Sequence, residues 1–332
     1  MSDRDAARAE GPAFGAPLVR SGGEPPLVAA VVVNHDGLAE TRTCVASLRN
    51  AMGVRVHVVV VDNASREAER RALADEYAGA DDVELVLLPD NRHFAGGVNA
   101  GAERGIARGA AFLMILNNDT ELEPGCLAEL VATATAHHDA GIVGPALLDT
   151  RRRERALSLG ERYSPWSLAV PRTLLRVRRA GDGAPYRVGG VMGSALLVTR
   201  ECFLRVGPYR EDLLVYYEEV DFCLRARALG YRPMIAPRAI VRHDGMRGFA
   251  SGLTPYAARL KARNQLLLLR DHGAPLAWIA FLPIYAGLVA TSALLYELRG
   301  RHEVVAALWS GVREGVRAVT GRRRPADSAG PA

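Results

Sequence analysis

The feature that most constrains this chain is a series of four short apolar runs, each of which ends in polar residues. They are "LVAAVVV" (27–33), "VHVVVVD" (56–62), "VELVLLP" (83–89) and "AFLMILN" (111–117). Runs of this length, rich in Val, Ile and Leu and without alternation, predict strands buried on both faces. Between the first two, Leu38, Thr41, Cys44, Val45 and Leu48 recur at helical spacing, and 65–77 and 95–109 are long enough for further helices. Strand and helix in alternation imply right-handed crossovers and an α/β domain whose mostly parallel sheet carries helices on both faces. Such sheets bind ligands at the carboxyl ends of their strands. Those ends here carry Asn34, His35 and Asp36, then Asp62, Asn63 and Ser65, then Asp90 and Asn91, and finally Asn117 to Thr120. Singly, Asp62 with Ser65 reads as a helix cap and Asp36-Gly37 as a turn. Four polar ends on one edge point to a site.

Other classes are less well supported. The chain has 332 residues, enough for one large α/β domain with an appendage or for two domains. Of its 42 basic residues only Lys261 is lysine, and the net charge is +5, weak grounds for a nucleic-acid partner. Arginine clusters at 151–155, 172–179 and 322–324 read equally as solvated faces or phosphate contacts, and none is interleaved with aromatics. Cys44, Cys126, Cys202 and Cys223 form no CxxC pair, which argues against a zinc site or a disulfide framework and fits a reducing cytosol. No G-x-G-x-x-G follows the first strand, which runs straight into "NHDG", and no P-loop is present. "FAGGVNAGAERG" (94–105) is glycine-rich; its backbone could face a phosphate, or Gly96, Gly97 and Gly101 could serve close helix packing.

Further along, an arginine-rich stretch to about 187 reads as loops or a variable insertion. Order resumes at "GGVMGSALLVTRECFLRVG" (189–207), followed by a helix over 218–230, a short strand around 232–236 and a glycine-rich loop "RHDGMRGFASG" (242–252). From Leu276 to Tyr296 there are 21 residues without a charge. As a helix they cover roughly 30 Å, and three readings are open: an interfacial or re-entrant membrane helix, a true span, or a buried or oligomeric helix. Residues 297–324 carry seven Arg against three Glu, a balance attracted to anionic lipid. The expected organisation is a mobile leader over 1–26 that is not a secretory signal, a main domain over 27–255 divided near 125, a helical membrane-associated region over 256–321, and a mobile tail over 322–332.

"VVVNHDG", "VVVDNAS", "DNRHFAGGVNAG", "LNNDTELEPG" and "YYEEVDFCLRARALGY", in this order and spacing, resemble the family 2 inverting glycosyltransferases of the GT-A fold, in particular their rhamnosyltransferase-like branch. The resemblance covers roughly residues 27–250. It implies that Asn34, Asp36, Asp62 and Asn63 surround the nucleotide base and ribose. It places Asn91, Phe94, Gly96 and Asn99 along the nucleotide and diphosphate, with Asn118 beside them, and gives Arg92 or His93 a phosphate contact or a solvated surface role. The family's Asp-x-Asp motif falls on Asn117-Asn118-Asp119, so Asp119 is the implied ligand for Mg²⁺ or Mn²⁺, which offsets the charge of the leaving diphosphate. Asn117 could assist only weakly, through its amide oxygen or a water, and Glu121 is a substitute only if it turns toward the ion. His243 falls where the family adds a histidine ligand, and a ring nitrogen slightly favours Mn²⁺.

The family's acidic pair at a helix start is matched by Glu218-Glu219, with Glu219 as the general base that inversion requires. Asp221 and Arg225, four apart, are a supporting ion pair. Gly193 and Ser194 lie on the acceptor side, and the loop from Asp244 to Gly252 has the composition of a lid. The implied reaction moves a sugar, with rhamnose from a dTDP donor the first guess and a UDP donor the alternative, to a glycan or lipid-linked acceptor. The implied place is the cytoplasmic face of the cell membrane, peripheral to it or inserted in it, in cell wall or polysaccharide biosynthesis. Competing expectations are a non-catalytic sugar-nucleotide or glycan-binding module at the membrane and a sugar-1-phosphate nucleotidyltransferase.

Overall fold

The computed structural model describes residues 24–150, 156–163, 172–173, 181, 183–244 and 253–321. The described residues up to 244 form one compact unit and those from 253 to 321 a second. Most of the expected leader, the tail and nearly all of the expected lid lie outside the described residues.

The first unit runs β1 (Leu27–Asn34), α1 (Leu38–Arg49), β2 (Arg55–Asn63), α2 (Glu67–Tyr77), β3 (Val83–Leu88), α3 (His93–Ala107), β4 (Phe112–Asn117), β5 (Thr120–Leu122), α4 (Cys126–Ala136), β6 (Ile142–Asp149), β7 (Ala156–Ser158), β8 (Glu161–Arg162), β9 (Arg172–Thr173), β10 (Tyr186–Arg187), β11 (Ala195–Thr199), α5 (Arg200–Val206), α6 (Glu218–Ala228) and β12 (Met234–His243). The main sheet has the order β10-β12-β6-β11-β4-β1-β2-β3, with β5 on β12 and β7 on β6. β4, β1, β2 and β3 are mutually parallel, as are β6 and β12. β11 lies antiparallel between β4 and β6, so the sheet is mixed. Two cores sandwich it. Val28, Ala30, Val32, Val58 and Val60 pack with α1 and α4 on one face, while Ala29, Val31, Val33, Val59 and Val61 pack with α3, α5 and α6 on the other.

Two expectations change, and one of two open readings is met by the packing. β3 is the edge strand among the described residues and keeps Leu87 exposed, since no described strand pairs beyond it. The strand expected around 232–236 extends to His243. Pro237, which lacks a ladder N–H, coincides with a register shift between Ala236 and Ile240, after which pairing with β6 resumes. The glycines of α3 take their packing role: a Cβ on Gly97, Gly101 or Gly105 would stand 2.7, 2.3 or 2.5 Å from Val33, Val31 or Ala29 of β1. Their absence of side chains lets the helix lie directly on the strand.

The second unit is three helices, α7 (Pro255–His272), α8 (Pro275–Leu298) and α9 (His302–Thr320). Thr254 caps α7 by accepting from the Ala257 N–H at 3.1 Å. α9 packs tightly on α7, since a Cβ on Gly311 would fall 2.0 Å from the Arg259 carbonyl oxygen. Arg259 and Glu314 pair at 2.9 Å across the two helices.

Candidate active site

The carboxyl ends of β1, β2 and β4 meet around one buried amide. Asn34 Nδ2 donates to Asp62 Oδ1 (3.0 Å), Ser65 Oγ (3.1 Å) and Glu69 Oε1 (3.1 Å). Its Oδ1 accepts from Thr41 Oγ1 (2.9 Å), the Gly37 N–H (3.2 Å) and Asn118 Nδ2 (3.3 Å). Parallel pairing sets this up, because the ladders align Asn34 with Asp62 and Val33 with Asn117. Asp62 also accepts the Ser65 N–H at 3.2 Å. Asn63 ties in the third connection, accepting from the Arg92 N–H and donating to the His93 carbonyl, each at 2.8 Å. Asn34, Asp62, Asn63 and Asn118 thus form a framework that holds the strand ends in register. The groups it leaves toward solvent are His35, Asp36, Arg66 and Asn91. The Arg66 backbone N–H, donating to Asp36 Oδ1 at 2.9 Å, holds the Asp36 carboxyl below its ordinary value.

Asn99 and Arg92 face a neighbour that sequence reasoning did not anticipate. Asn99 donates to the Tyr209 carbonyl (2.9 Å) and to Glu211 (3.0 Å), and Arg92 pairs with Glu211 at 2.6 Å. These contacts join α3 to the loop before α6 across more than a hundred residues, a distance at which local pattern carries no signal. Gly96 is buried beneath the same pair, with Arg92 Cβ 2.5 Å and Glu211 Oε2 3.2 Å from where its Cβ would stand. Phe94 packs half-buried against the core.

The second cluster joins β4, β5 and β12. His243 pairs with Thr120 in the antiparallel β12–β5 ladder, which sets its ring beside the preceding residue. His243 Nε2 lies 3.1 Å from Asp119 Oδ1 and 3.4 Å from Asn117 Nδ2. The register shift in β12 makes this meeting; the strand as read from sequence would have stopped short of it. Glu121, one step along, is opposite Arg242. Among the described residues no group of three or more His, Cys, Asp or Glu could hold a metal ion. Two donors about 3 Å apart do match the edge of an octahedron with ~2.1 Å bonds. The Asp119–His243 pair therefore fits a divalent cation that takes its remaining ligands from diphosphate and water.

The third cluster is the start of α6. Leu214, Tyr216 and Tyr217 have φ values of 65°, 70° and 72°. The other non-glycine residues with positive φ among the described ones are Asp36, Ala64 and His93, so all of them border this edge of the sheet. Strain of this kind, of order 1–3 kcal/mol per residue, persists where the surroundings enforce it and is concentrated at functional sites. The turn delivers Glu218 inward and Glu219 against Gly193, whose Cβ would stand 3.1–3.4 Å from the Glu219 side chain. Glu218 is 5% exposed, its Oε2 has no hydrogen-bond partner, and burial, then the charge of Glu219, raises its carboxyl well above the ordinary range. Ser194 Oγ, Tyr209 Oη and Tyr163 Oη are likewise buried without a partner. The Ser194 carbonyl accepts the Asn117 N–H at 3.0 Å, which links this cluster to the second. Behind it, Asp221 accepts from Arg225 (2.7 Å) and from Arg210 (3.3 Å), and Arg225 continues to the Val206 carbonyl at 2.7 Å.

The mixed, mostly parallel sheet with helices on both faces is the GT-A fold of glycosyltransferases, and similarity to known proteins narrows the class. Residues 29–193 match the glycosyl transferase family 2 model, and the chain belongs to that family as a glycosyltransferase. It is similar to the dTDP-rhamnosyl transferase RfbF of Shigella flexneri, at 23% identity over 89% of this chain and 97% of the relative. It is also similar to the N-acetylglucosaminyl-diphospho-decaprenol L-rhamnosyltransferase of Mycobacterium tuberculosis, at 27% identity over 70% and 82%. Among solved structures, S. aureus TarS 1–349 shares the fold at a TM-score of 0.53 and 13% identity, covering 89% of this chain and 83% of that one. GalNAc-T7, solved with UDP, GalNAc and Mn²⁺, does so at 0.54 and 18%, over 67% of this chain and 44% of that one. The binding-module and nucleotidyltransferase alternatives find no support among these relatives.

Proposed function

We propose that the chain transfers a deoxyhexose, rhamnose first, with inversion from a dTDP-linked donor to a hydroxyl of a lipid-linked or glycan acceptor. The observation that carries this reading is the junction of the second and third clusters. Asp119 follows the end of β4 and Gly193 precedes β11, and the Asn117–Ser194 backbone hydrogen bond ties these two points together, so the Asp119–His243 pair and the Glu219–Gly193 contact flank that one bond. A charge-neutralising site and a carboxylate at one strand edge are what attack at an anomeric carbon with departure of a diphosphate requires. The choice of sugar and of a lipid-linked acceptor is supported by the names of the two relatives. A UDP-linked donor is the second reading, favoured by the nucleotide bound in GalNAc-T7.

In this scheme the nucleotide sits over the framework of Asn34, Asp62, Asn63 and Asn118, with Asp36, Asn91 and the start of α3 around Phe94, Gly96 and Asn99 along its edge. Asp119 and His243, with weak help from Asn117, would hold Mg²⁺ or Mn²⁺, which would neutralise charge on the departing diphosphate. Glu219 accepts the proton of the acceptor hydroxyl as its oxygen forms the new glycosidic bond. Glu218 stays neutral and keeps the negative charge on its neighbour. Gly193 leaves room beside Glu219, and Ser194 Oγ offers the incoming hydroxyl a hydrogen bond. Asp221 and Arg225 fix the helix that bears the base. The membrane face on the cytoplasmic side is where such an acceptor resides.

A thermal-shift panel of nucleoside diphosphates and their sugars with Mg²⁺ or Mn²⁺ tests the reading. A ligand at about 100 times its Kd adds about 2.7 kcal/mol, so dTDP with metal should shift Tm most. Equal shifts by every nucleotide, with or without metal, would contradict the donor and metal assignments.

A further inference from the structure

α8 is the most apolar surface element of the described chain. It buries one narrow stripe, Ala277, Phe281, Tyr285 and Val289, each four residues from the next. At about 100° per residue, Leu276, Ile279, Leu294 and Leu298 fall on the opposite face, and they are 77%, 71%, 60% and 76% exposed. Leu282, Ile284, Leu288 and Leu295 flank them, also exposed. A contiguous apolar face of this length is rare on a soluble monomer and marks a place of contact.

By length alone the helix could cross a bilayer, since 24 residues reach about 36 Å. Its packing forbids this. Tyr285, near the middle of α8, donates its hydroxyl to the Ala262 carbonyl near the middle of α7 at 2.9 Å. Ala262 lies between Lys261 and Arg263, and α7 also carries Arg259, Arg270 and Asp271. Placing α8 across a membrane would carry this charged helix to the bilayer centre, at about 2.5–3.5 kcal/mol for each Arg, Lys or Asp.

Lying in the interface, α8 avoids that cost and buries its outer face in the acyl boundary. Between residues 253 and 321 there are eight Arg or Lys against four Asp or Glu. Arg299 and Arg301 sit 5.8 and 6.0 Å over the Tyr296 ring at the end of α8. On α9, Trp309, Arg313, Val316 and Arg317 share one exposed face. Tyr296 with Arg299 and Arg301 sets aromatic and guanidinium groups at the C-terminal margin of the apolar face, a combination that suits the headgroup layer of an anionic bilayer.

We infer that α8 is an in-plane membrane anchor that seats the enzyme on an anionic phospholipid surface without crossing it. This rests on the lipid-linked acceptor reading for its purpose, though its geometry is independent of it. The test uses the full chain. In flotation with phosphatidylcholine vesicles, with and without phosphatidylglycerol, the protein should rise with the anionic vesicles, and Ile279→Glu with Leu294→Glu should lower the bound fraction at least tenfold. That variant should keep its Tm and its transfer to a soluble acceptor analogue, which separates loss of the anchor from failure of the glycosyltransferase reading.

In inverted membrane vesicles, Ala274→Cys and Arg299→Cys should react equally with an impermeant maleimide, because the native cysteines are buried. Protection of one end only would show a span. Absence of flotation together with a concentration-dependent dimer in sedimentation would show that a second copy covers the face. Either result overturns the proposal.

Discussion

The two halves of the strand edge use polar residues in opposite ways. At the ends of β1 and β2 nearly every polar side-chain atom is engaged by another: Asn34 alone makes six contacts. At the corner of β11 and α6, Glu218, Ser194, Tyr209 and Tyr163 each retain a buried polar atom with no partner. A buried donor or acceptor left unsatisfied costs about 1–3 kcal/mol. A fold retains several together where a ligand or ordered water completes them. On the proposed function the first region is a frame, rigid before substrate arrives, and the second is completed by it.

Substitutions can sharpen or break this contrast. Outside the proposed base itself, the largest effect is expected at Asp119→Ala, where loss of the proposed cation site should lower kcat/KM by about 10²–10³ with no change in Tm, and should abolish any metal-dependent stabilisation by nucleotide. Asp221→Ala leaves Arg210 and Arg225 without their shared carboxylate and should lower stability in urea by about 3 kcal/mol. Asn34→Ala should lower stability by about 2 kcal/mol while nucleotide affinity at low temperature changes little. A large loss of affinity at intact stability would instead make Asn34 a direct ligand contact and erase the contrast.

Glu218→Gln should have the smallest effect on turnover and a clear one on pH dependence. The folded state keeps the Glu218 proton above the ordinary value of 4.5, where the unfolded chain releases it. Stability from this group is thus complete below that value and falls as pH rises, by up to about 1.4 kcal/mol per pH unit until the folded carboxyl ionises. The Gln variant should remove this slope in urea titrations from pH 5 upward.

Much of the fold was legible because the determining signal is local. Apolar runs give strands, helical spacing gives α1, and polar residues after each run give the functional edge. The pairings were legible only in part. The resemblance put His243 with Asp119, and they lie 3.1 Å apart, but the route to that meeting, β12 continuing past Pro237 through an irregularity to His243, carries no local signal. Asn99, Arg92 and Glu211 come together across a separation no window spans. Whether a strand-end amide faces ligand or neighbour depends on register, so Asn34 and Asn118 could be placed at the site by sequence but not told from its frame.

The proposed mechanism turns on Glu219, set by a strained turn against Gly193, as the base for transfer. The direct measurement is single-turnover transfer by Glu219→Gln, with nucleotide binding followed in parallel. Nucleotide and metal should bind as in the wild type while the rate falls by about 10²–10⁴. Transfer within a few-fold of the wild-type rate would contradict it.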